Sequence, residues 1–375
     1  MFNSKRIMIA AGGTGGHINP ALAVASEIRN RCPDAEIVFI GTADRMEAKL
    51  VPNAGFNFET IEIRGFKRSF SPKAIMDNVK TVGMLLKSSS QVKKTIEKFR
   101  PDVVVGFGGY VSGPVLKVAC KMGIPTAIHE QNAYPGVTNK ALAKTVDRVM
   151  LTVMDAKKHM SPKNEPIYTG LPVRGELIKA DRELSRAELN LDDRPLVLSM
   201  GGSLGARAIN DAMVETISSM HRDADCYFLH ATGQYGKWVP DKLREKGVDL
   251  ENEKHIIVRE YIDDMARCLS AADLVICRAG ASSLSEFQVM GKPSILIPSP
   301  NVAENHQYHN AMALVNNNAA VIIEEKDLSG ETLTKAVKEL IFNPDRLAEI
   351  GANAKKMAIC DATDRIIEVI SEIIK

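Results

Sequence analysis

The fold is decided by the stretch RIMIAAGGTGGH, residues 6–17. A short apolar run of this kind is typical of a buried parallel strand, and the glycines after it allow a tight turn into a helix. The same order returns at LVLSMGGSLGAR, residues 196–207. Both loops read Gly-Gly-[Ser/Thr]-x-Gly, and each follows the first strand of a series. The repetition predicts two doubly wound α/β domains of one plan, facing each other across a cleft.

Outward from these loops, short runs rich in Val and Ile alternate with longer segments of helical period. This alternation predicts parallel sheets wound with helices throughout. We expect strands at 6–11, 36–41, 58–63, 102–107, 125–129 and 148–152, and again at 196–200, 226–231, 255–258, 274–277, 294–298 and 320–323. Gly and Pro residues between Pro166 and Pro172 favour turns and indicate a hinge between the two series. Apolar residues at helical spacing predict a final helix near the end of the chain.

Length and composition exclude several classes of protein. A chain of 375 residues is too long for one ordinary core, which favours two domains. Lys and Arg total 48 against 46 for Asp and Glu, so the net charge of +2 does not point to nucleic acid. The six cysteines contain no C-x-x-C and fit reduced core thiols, which favours the cytoplasm. The N-terminal apolar run is too short for a signal peptide, and no run suffices to span a bilayer.

Both glycine loops are candidates for phosphate binding, because backbone N–H groups and a helix start can approach an anion there. A tight turn without a ligand would use the same glycines. A dinucleotide fingerprint is excluded because Ile18 stands where its third glycine is needed, and because the second strand ends at Gly41-Thr42 without a carboxylate. Neither loop ends in Gly-Lys-[Ser/Thr], which excludes a Walker A motif.

Polar side chains follow three strands of the first series. His17 begins the first helix, where the helix dipole disfavours an imidazolium and keeps the ring neutral as a candidate general base. The alternative is a histidine that only hydrogen-bonds a loop carbonyl. The loops at 106–113 and 129–132 (His-Glu-Gln-Asn) leave strands at the edge where open sheets bind ligands. A capping network would account for the polar residues of 129–132 equally well.

The second series has similar candidates. The stretch 278–286, RAGASSLSE, leaves a strand and enters a helix, and Glu286 is placed to accept both hydroxyls of a ribose. An ordinary first-turn glutamate is the alternative. The run 304–310, ENHQYHN, offers amides of the kind that bind sugar hydroxyls, or a plain polar helix start. Asp223-x-Asp225 precedes a predicted strand and so lies at the wrong edge for a metal motif. We expect neither a metal nor a cofactor.

Eight motifs in this order resemble the MurG family of glycosyltransferases: AGGTGGH (11–17), GTADRME (41–47), GGYVSGP (108–114), HEQN (129–132), PVR (172–174), GGSxGAR (201–207), IDDM (262–265) and ADLVICRAGA (272–281). The resemblance implies a GT-B fold whose last helix crosses back to the first domain. It also implies an inverting transfer of N-acetylglucosamine from UDP-N-acetylglucosamine to undecaprenyl-pyrophosphoryl-N-acetylmuramyl-pentapeptide (lipid I), giving lipid II and UDP in peptidoglycan synthesis. The sequence has Leu171 and His306 where relatives often carry Asn and Gln.

The resemblance also implies roles for domains and residues. Residues 1–173 with 353–375 would form the acceptor-binding, membrane-associating domain, and 174–352 the UDP-N-acetylglucosamine domain. His17 is the first choice for the catalytic base and Glu130 the alternative. The donor would contact Thr14, Gly15, Gly16, Asn132, Arg174, Ser203, Ile262, Ala281, Ser282, Ser283, Leu284, Ser285, Glu286, Gln307 and Asn310. The acceptor would contact Gly12, Gly13, Gly108, Gly109 and Tyr110.

Further expectations concern location and competing functions. Between Lys67 and Lys94 lies an apolar and basic mixture suited to an anionic bilayer surface, or to a helix packed on its own sheet. We expect a peripheral protein on the cytoplasmic side of the inner membrane, with other cell-wall synthesis and division proteins as possible partners. Two other functions stay open: a UDP-N-acetylglucosamine 2-epimerase of the same fold, and a noncatalytic nucleotide-sugar-binding scaffold.

Overall fold

A computed structural model of the chain describes residues 2–63 and 87–374. The chain divides into two compact units. The first unit comprises Met1–Pro172 and Asp361–Lys375, and the second comprises Val173–Cys360. The first unit therefore contains both ends of the chain.

The sheet of the first unit has seven parallel strands. They are β1 (Arg6–Ala11), β2 (Glu36–Gly41), β3 (Asn57–Thr60), β4 (Val103–Gly108), β5 (Thr126–Glu130), β6 (Arg148–Leu151) and β7 (Ile167–Tyr168). Their order across the sheet is β3-β2-β1-β4-β5-β6-β7. The direction of winding reverses between β1 and β4, and ligands of open parallel sheets bind at such a reversal.

Helices cover both faces of this sheet, which explains why its strands are nearly continuous apolar runs. They are α1 (Gly15–Arg31), α2 (Glu47–Asn53), α3 (of which residues 87–99 are described), α4 (Ser112–Lys121), α5 (Val137–Ala143) and α15 (Ala362–Ile373), with a 3-10 helix at Met154–His159. Side chains that alternate along β1 enter opposite cores. Ile7 and Ile9 pack with α1, whereas Met8 and Ala10 pack with α3 and α4.

The last helix belongs to the first unit. Ile366, Ile367 and Ile370 of α15 are buried in the same core cluster as residues of α1, and the two helices are in contact. The return begins at Asp361 rather than at residue 353. The difference arises because the preceding helix, α14 (Pro344–Lys356), packs Leu347 and Ile350 into the core of the second unit.

The second unit repeats the plan with six parallel strands. They are β8 (Leu196–Met200), β9 (Tyr227–Ala231), β10 (Ile256–Arg259), β11 (Leu274–Cys277), β12 (Ser294–Leu296) and β13 (Val321–Ile322). Their order is β10-β9-β8-β11-β12-β13, so that the winding reverses between β8 and β11.

The helices of the second unit cover both faces of its sheet, around two buried clusters. They are α6 (Gly175–Lys179), α7 (Arg182–Glu188), α8 (Arg207–Met220), α9 (Val239–Glu245), α10 (Met265–Ala271), α11 (Ala281–Met290), α12 (His306–Val315), α13 (Gly330–Ile341) and α14, with 3-10 helices at Gln234–Gly236, Ala303–Asn305 and Glu325–Asp327. The start of α13 is fixed by a capping box, in which Ser329 and Thr332 each bond the other's backbone N–H.

The predicted fold class, α/β with two doubly wound parallel sheets, is confirmed. The strand not predicted is β7, which has only two residues and lies within the Gly- and Pro-containing segment expected to be a hinge. In the second glycine loop the helix also starts later than expected: α1 begins at Gly15 inside its motif, whereas α8 begins at Arg207, after its motif has ended. Within the described ranges, no helix combines the length and the hydropathy that a membrane span requires.

Candidate active site

The winding reversal of the first sheet brings together the loops after β1 and β4. A Cβ at Gly109 would lie 2.3 Å from the carbonyl oxygen of Gly12, and one at Gly108 would lie 2.7 Å from Cδ2 of His17. Both glycines have positive φ, +107° at Gly108 and +82° at Gly109. The two loops therefore touch backbone to backbone, and only glycine permits that approach.

Ser112 stabilises this left-handed turn from the start of α4. Its Oγ accepts the N–H of Gly108 at 3.1 Å, and lies 2.8 Å from the carbonyl oxygen of Gly108 and 3.2 Å from that of Ala10. One hydroxyl thus links the ends of β1 and β4. The role of Ser112 was not predictable from the sequence, because an isolated serine after glycines carries no distinguishing pattern.

His17 lies in the first turn of α1 with its ring oriented by the glycine loop. Nδ1 lies 3.0 Å from the carbonyl oxygen of Gly12 and 3.3 Å from Oγ1 of Thr14. A carbonyl oxygen can only accept, so this geometry places the proton on Nδ1 and leaves a lone pair on Nε2. The ring bonds a loop carbonyl, as one interpretation of the sequence expected, and the role of Nε2 as a general base stays a prediction.

Glu47 is a buried carboxylate beneath the same loop. Its Oε2 accepts the N–H of Gly13 at 2.9 Å, and its Oε1 accepts the N–H of Thr42 at 3.1 Å and the Thr42 hydroxyl at 2.8 Å. Its exposed fraction is 1%. Glu47 belongs to the GTADRME motif, but its role could not be predicted from the sequence because its partner Gly13 lies 34 positions away.

Glu130 is held by donors of its own loop. Oε1 accepts the N–H of Asn132 at 3.0 Å and its Nδ2 at 3.2 Å. Oε2 accepts the N–H of Gly136 at 3.1 Å and Nδ2 of Asn139 at 2.8 Å. With both oxygens occupied and the side chain buried, Glu130 organises the loop that carries Asn132. This is the capping network that the sequence left open as an alternative.

His129 and Gln131 face the interior on either side of Glu130. Nε2 of His129 donates to the carbonyl oxygen of Gly170 at 2.8 Å, and Nδ1 accepts from the amide of Gln131 at 3.2 Å. The ring stacks on Phe107 with the centroids 5.5 Å apart. Burial lowers the pKa of His129 to about 4, and the hydrogen bond to Gly170 opposes that shift. His129 and Gln131 therefore stabilise the carboxyl end of β5 from the interior of the unit.

The second glycine loop lies at the winding reversal of the second sheet, between β8 and β11. Gly202 has φ +89°, close to the +88° of Gly13 at the equivalent position of the repeat. A Cβ at Gly205 would lie 2.2 Å from the carbonyl oxygen of Thr232, so the loop packs on the turn after β9. Ser203, the predicted diphosphate contact, is exposed in this loop.

Arg174 and Glu286, predicted to bind the diphosphate and the ribose, pair with each other. Nε of Arg174 lies 3.1 Å from Oε1 of Glu286, and Nη1 lies 3.1 Å from Oε1 of Glu176. Burial raises the pKa of Glu286, and the charge and hydrogen bond of Arg174 oppose that shift. The structure thus places two predicted donor-binding residues side by side at the start of α6 and on α11.

The remaining predicted residues of the second unit divide into surface and interior positions. Leu284, Ser285 and Ile262 are buried. Ala281, Ser282 and Ser283 form the first turn of α11. Oε1 of Gln307 accepts the N–H of Ser299 at 2.8 Å. Asn310 is buried and donates to the carbonyl oxygen of Ala279 at 3.2 Å, which braces the turn before α11.

The fold and these loops define the class of protein: a glycosyltransferase built from two Rossmann-like units. The family model of the glycosyltransferase family 28 N-terminal domain matches residues 7–151, and that of the C-terminal domain matches residues 196–366. The UDP-N-acetylglucosamine–N-acetylmuramyl-(pentapeptide) pyrophosphoryl-undecaprenol N-acetylglucosamine transferase of Acetivibrio thermocellus is 44% identical over 373 residues, covering 99% of this chain and 98% of that protein.

Solved structures agree with the sequence relatives. The crystal structure of Acinetobacter baumannii MurG is 28% identical and superposes with a TM-score of 0.79, covering 98% of this chain and 99% of that one. A putative UDP-N-acetylglucosamine 2-epimerase from Listeria monocytogenes has a TM-score of 0.66 at 14% identity, covering 99% and 97%, which is a likeness of fold alone. The chain belongs to glycosyltransferase family 28 and, within it, to the MurG transferases.

Proposed function

We propose that this chain transfers N-acetylglucosamine from UDP-N-acetylglucosamine to the C4 hydroxyl of the N-acetylmuramyl group of lipid I, with lipid II and UDP as products. The observation that carries the proposal is the free Nε2 of His17 at the winding reversal of the first sheet, held there by the Gly12 carbonyl. The relative from Acetivibrio thermocellus, which matches this chain over nearly its full length and is named for this reaction, supports the substrate pair.

In the proposed step the acceptor hydroxyl attacks the anomeric carbon as the bond from that carbon to the diphosphate breaks. The hydroxyl proton passes to Nε2 of His17, and the electron pair of the broken bond leaves with UDP. The backbone N–H groups around Gly202 and the first turn of α11 can stabilise the charge on the leaving diphosphate. No further proton donor or metal enters this balance.

The donor-binding roles belong to the second unit in this proposal. Arg174 would exchange Glu286 for the diphosphate, and Glu286 would accept the ribose hydroxyls. Their present ion pair supports this assignment, because each is already held beside the start of α11 by a partner of opposite charge. Ser203 would contact the diphosphate, Gln307 and Asn310 the sugar, and the backbone of Ile262 the uracil. Thr14, Gly15, Gly16 and Asn132 would contact the donor from the first unit.

The acceptor would meet the loops after β1 and β4, at Gly12, Gly13, Gly108, Gly109 and Tyr110. Tyr110 is 59% exposed at the tip of the second of these loops, so its ring is accessible to a ligand. The N–H of Gly13 already donates to Glu47. An acceptor diphosphate would therefore be bound by other donors of this loop.

Turnover by purified protein tests the proposed base. With UDP-N-acetylglucosamine and a short-chain lipid I analogue, wild type should release UDP and form the disaccharide lipid. We expect His17→Ala to lower kcat by about 100-fold or more, the usual contribution of a general base. Glu130→Gln should retain the acid limb of the pH profile, because Glu130 acts through the Asn132 loop.

The opposite result would reverse the assignment: near-normal turnover in His17→Ala together with loss of activity in Glu130→Gln. The same reaction mixtures separate the competing functions. Formation of UDP-N-acetylmannosamine from the donor alone would identify an epimerase. Binding of the donor with no product of either kind would identify a scaffold.

We also propose a peripheral location on the cytoplasmic face of the inner membrane, near other cell-wall synthesis and division proteins. The apolar and basic segment between Lys67 and Lys94 motivates it, and residues 67–86 lie outside the described residues. Within the described part, Lys87 pairs with Glu62 at 2.7 Å and Lys93 with Glu97 at 3.7 Å. Exposed ion pairs of this kind are weak, so these lysines remain able to bind an anionic membrane surface.

Co-sedimentation with vesicles tests the location. We expect binding to vesicles containing anionic phospholipid at low salt, weakening as salt is added, and none to neutral phosphatidylcholine vesicles. A variant with Lys67, Arg68 and Lys73 changed to Gln should lose the binding. The matched control, which also removes three positive charges, changes the exposed Lys326, Lys335 and Lys338 of the second unit to Gln and should bind like wild type. Equal binding by both variants would contradict the role of this segment.

A further inference from the structure

One peptide group in the first glycine loop is hydrogen-bonded at both of its ends. The N–H of Gly13 donates to Oε2 of Glu47 at 2.9 Å. The carbonyl oxygen of the same peptide, that of Gly12, lies 3.0 Å from Nδ1 of His17 and accepts its proton. A continuous chain therefore runs from the Glu47 carboxylate through the Gly12–Gly13 peptide to the imidazole ring.

The carboxylate at the start of this chain is fixed in place. Thr42 donates to Oε1 through its N–H at 3.1 Å and its hydroxyl at 2.8 Å. The loop is shaped around the side chain, because a Cβ at Gly12 would lie 2.6 Å from Oε1 and one at Gly41 would lie 2.7 Å from Cγ. Both oxygens of the side chain accept hydrogen bonds, so the carboxyl group is held at both of its ends.

A hydrogen bond to an anion polarises the peptide that makes it. Donation by the Gly13 N–H to a buried carboxylate draws electron density onto the Gly12 oxygen, and hydrogen bonds in such a chain strengthen one another. The stronger acceptor holds the proton on Nδ1 of His17, and it stabilises the positive charge that appears when Nε2 takes a proton. A carboxylate bonded directly to a histidine does the same in serine hydrolases.

We propose that Glu47 is a positioning residue for the transfer reaction, acting on His17 through the Gly12–Gly13 peptide to set its tautomer and strengthen Nε2 as a base. The inference rests on the proposed function in one respect, namely that His17 is the base. Glu47 itself touches neither the His17 ring nor the face of the loop where Nε2 lies.

Other groups near the ring do not provide this effect. Among the described residues, the His17 ring lies beside the Thr14 hydroxyl, the Gly12 carbonyl and the backbone of Gly108. On the neighbouring elements, Asp44 and Arg45 are exposed on the turn before α2, and both oxygens of Glu130 are bound within its own loop. Glu47 is thus the charged group joined to His17 by an unbroken series of hydrogen bonds.

The test compares Glu47→Gln with Thr42→Val in the full-length protein labelled with ¹⁵N-histidine. Glu47→Gln keeps the shape of the side chain and removes its charge. Thr42→Val removes a hydrogen bond to the other oxygen of the same carboxylate and leaves the link to Gly13 intact. It therefore reports any effect of merely loosening α2. The readouts are the ¹⁵N shifts of the His17 ring, which report its tautomer, and kcat/KM.

Wild type should have the proton on Nδ1. In Glu47→Gln we expect a larger fraction of His17 rings with the proton on Nε2 than in wild type. We also expect kcat/KM to fall about tenfold, which corresponds to the loss of one hydrogen bond to a charged group. Thr42→Val should keep the tautomer and the kcat/KM of wild type.

Three results would overturn the inference: a wild-type ring protonated on Nε2, an unchanged tautomer in Glu47→Gln, or equal effects of both variants. If Glu47→Gln does not fold, the wild-type ring still decides, because a His17 ring protonated on Nε2 would rule out the link through Nδ1 and the Gly12 carbonyl. The tautomer is measured without substrate, so it tests Glu47 whether or not His17 is the base. Loss of the proposed function would appear separately, as normal turnover in His17→Ala.

Discussion

At the scale of single residues, Gly109 is held by two independent constraints. Its φ of +82° lies in the left-handed region, and a Cβ would lie 2.3 Å from the carbonyl oxygen of Gly12. Gly123 has a similar φ of +72° but nothing within 4 Å of its Cβ position. The pair separates the cost of the backbone conformation from the cost of the contact.

We expect Gly123→Ala to lower the free energy of unfolding by about 1 kcal/mol, the penalty of a left-handed alanine. Gly109→Ala should cost at least about 2 kcal/mol more, because backbone rather than a flexible side chain blocks the new methyl group. It should also lower turnover, since Gly12 holds His17, whereas Gly123→Ala should leave turnover at the wild-type rate. Urea unfolding and the transfer assay measure both effects, and equal losses in the two variants would contradict the contact.

Residue roles were predictable where they depend on local pattern. His17 and the glycines of both loops could be identified because a strand, a glycine turn and a helix are adjacent in sequence. Glu47 and Ser112 could not, because each acts on a loop that arrives from another strand. Ser112 reaches Ala10 across 102 positions. The hydrogen bond between Glu130 and Asn139 was not predictable for a similar reason, since a turn and the start of a helix separate the two residues.

At the scale of elements, the central strands were the most predictable part of the fold. β1, β2, β8 and β11 have the predicted bounds, because a strand buried on both faces reads as a continuous apolar run. Edge strands were less predictable, because β7 pairs only two of its residues with β6, which is too few to form a sequence pattern. Helix α15 was predicted from its spacing, but its place in the first unit was expected only from the resemblance, and its packing on α1 was not predicted.

The repeat of the glycine loop is conserved between the two units in one respect and not in another. Gly13 and Gly202 share the same left-handed turn, so the motif encodes the same departure from the strand. The helices then start at different points, at Gly15 and at Arg207. In the second loop the position equivalent to His17 is Ala206, which precedes α8, whereas His17 itself lies in the first turn of α1.

At the scale of the whole molecule, each unit encloses one fully buried histidine. Burial lowers the pKa of His129 to about 4 in the first unit and that of His230 to about 4 in the second. Nδ1 of His230 lies 2.7 Å from the Ser199 hydroxyl. An unfolded histidine takes up its proton near pH 6.5. Between pH 6.5 and 4 the unfolded chain therefore binds more protons than the folded one.

The contribution of these two histidines to the free energy of unfolding is therefore fully present above pH 6.5. It falls as the pH is lowered from 6.5 to 4, by up to about 3 kcal/mol for each histidine. Urea unfolding of the whole chain at pH 7.5, 5.5 and 4.5 measures the slope. His129→Gln, whose amide can still donate to Gly170, should reduce the slope, and a second change at His230 should reduce it further. A slope that is the same in wild type and the double variant would contradict the account.

The sequence by itself determined the α/β class, the two series of strands and the glycine turns, because strand burial, helix period and left-handed glycines are read from neighbouring residues. It also determined the family, through motifs spread over nearly the whole chain. The tertiary structure alone decided which atoms meet: Glu47 with Gly13, Arg174 with Glu286, Glu130 with Asn139. Arg174 and Glu286 are 112 positions apart, and such a contact depends on the order of strands across a sheet, which no local pattern encodes.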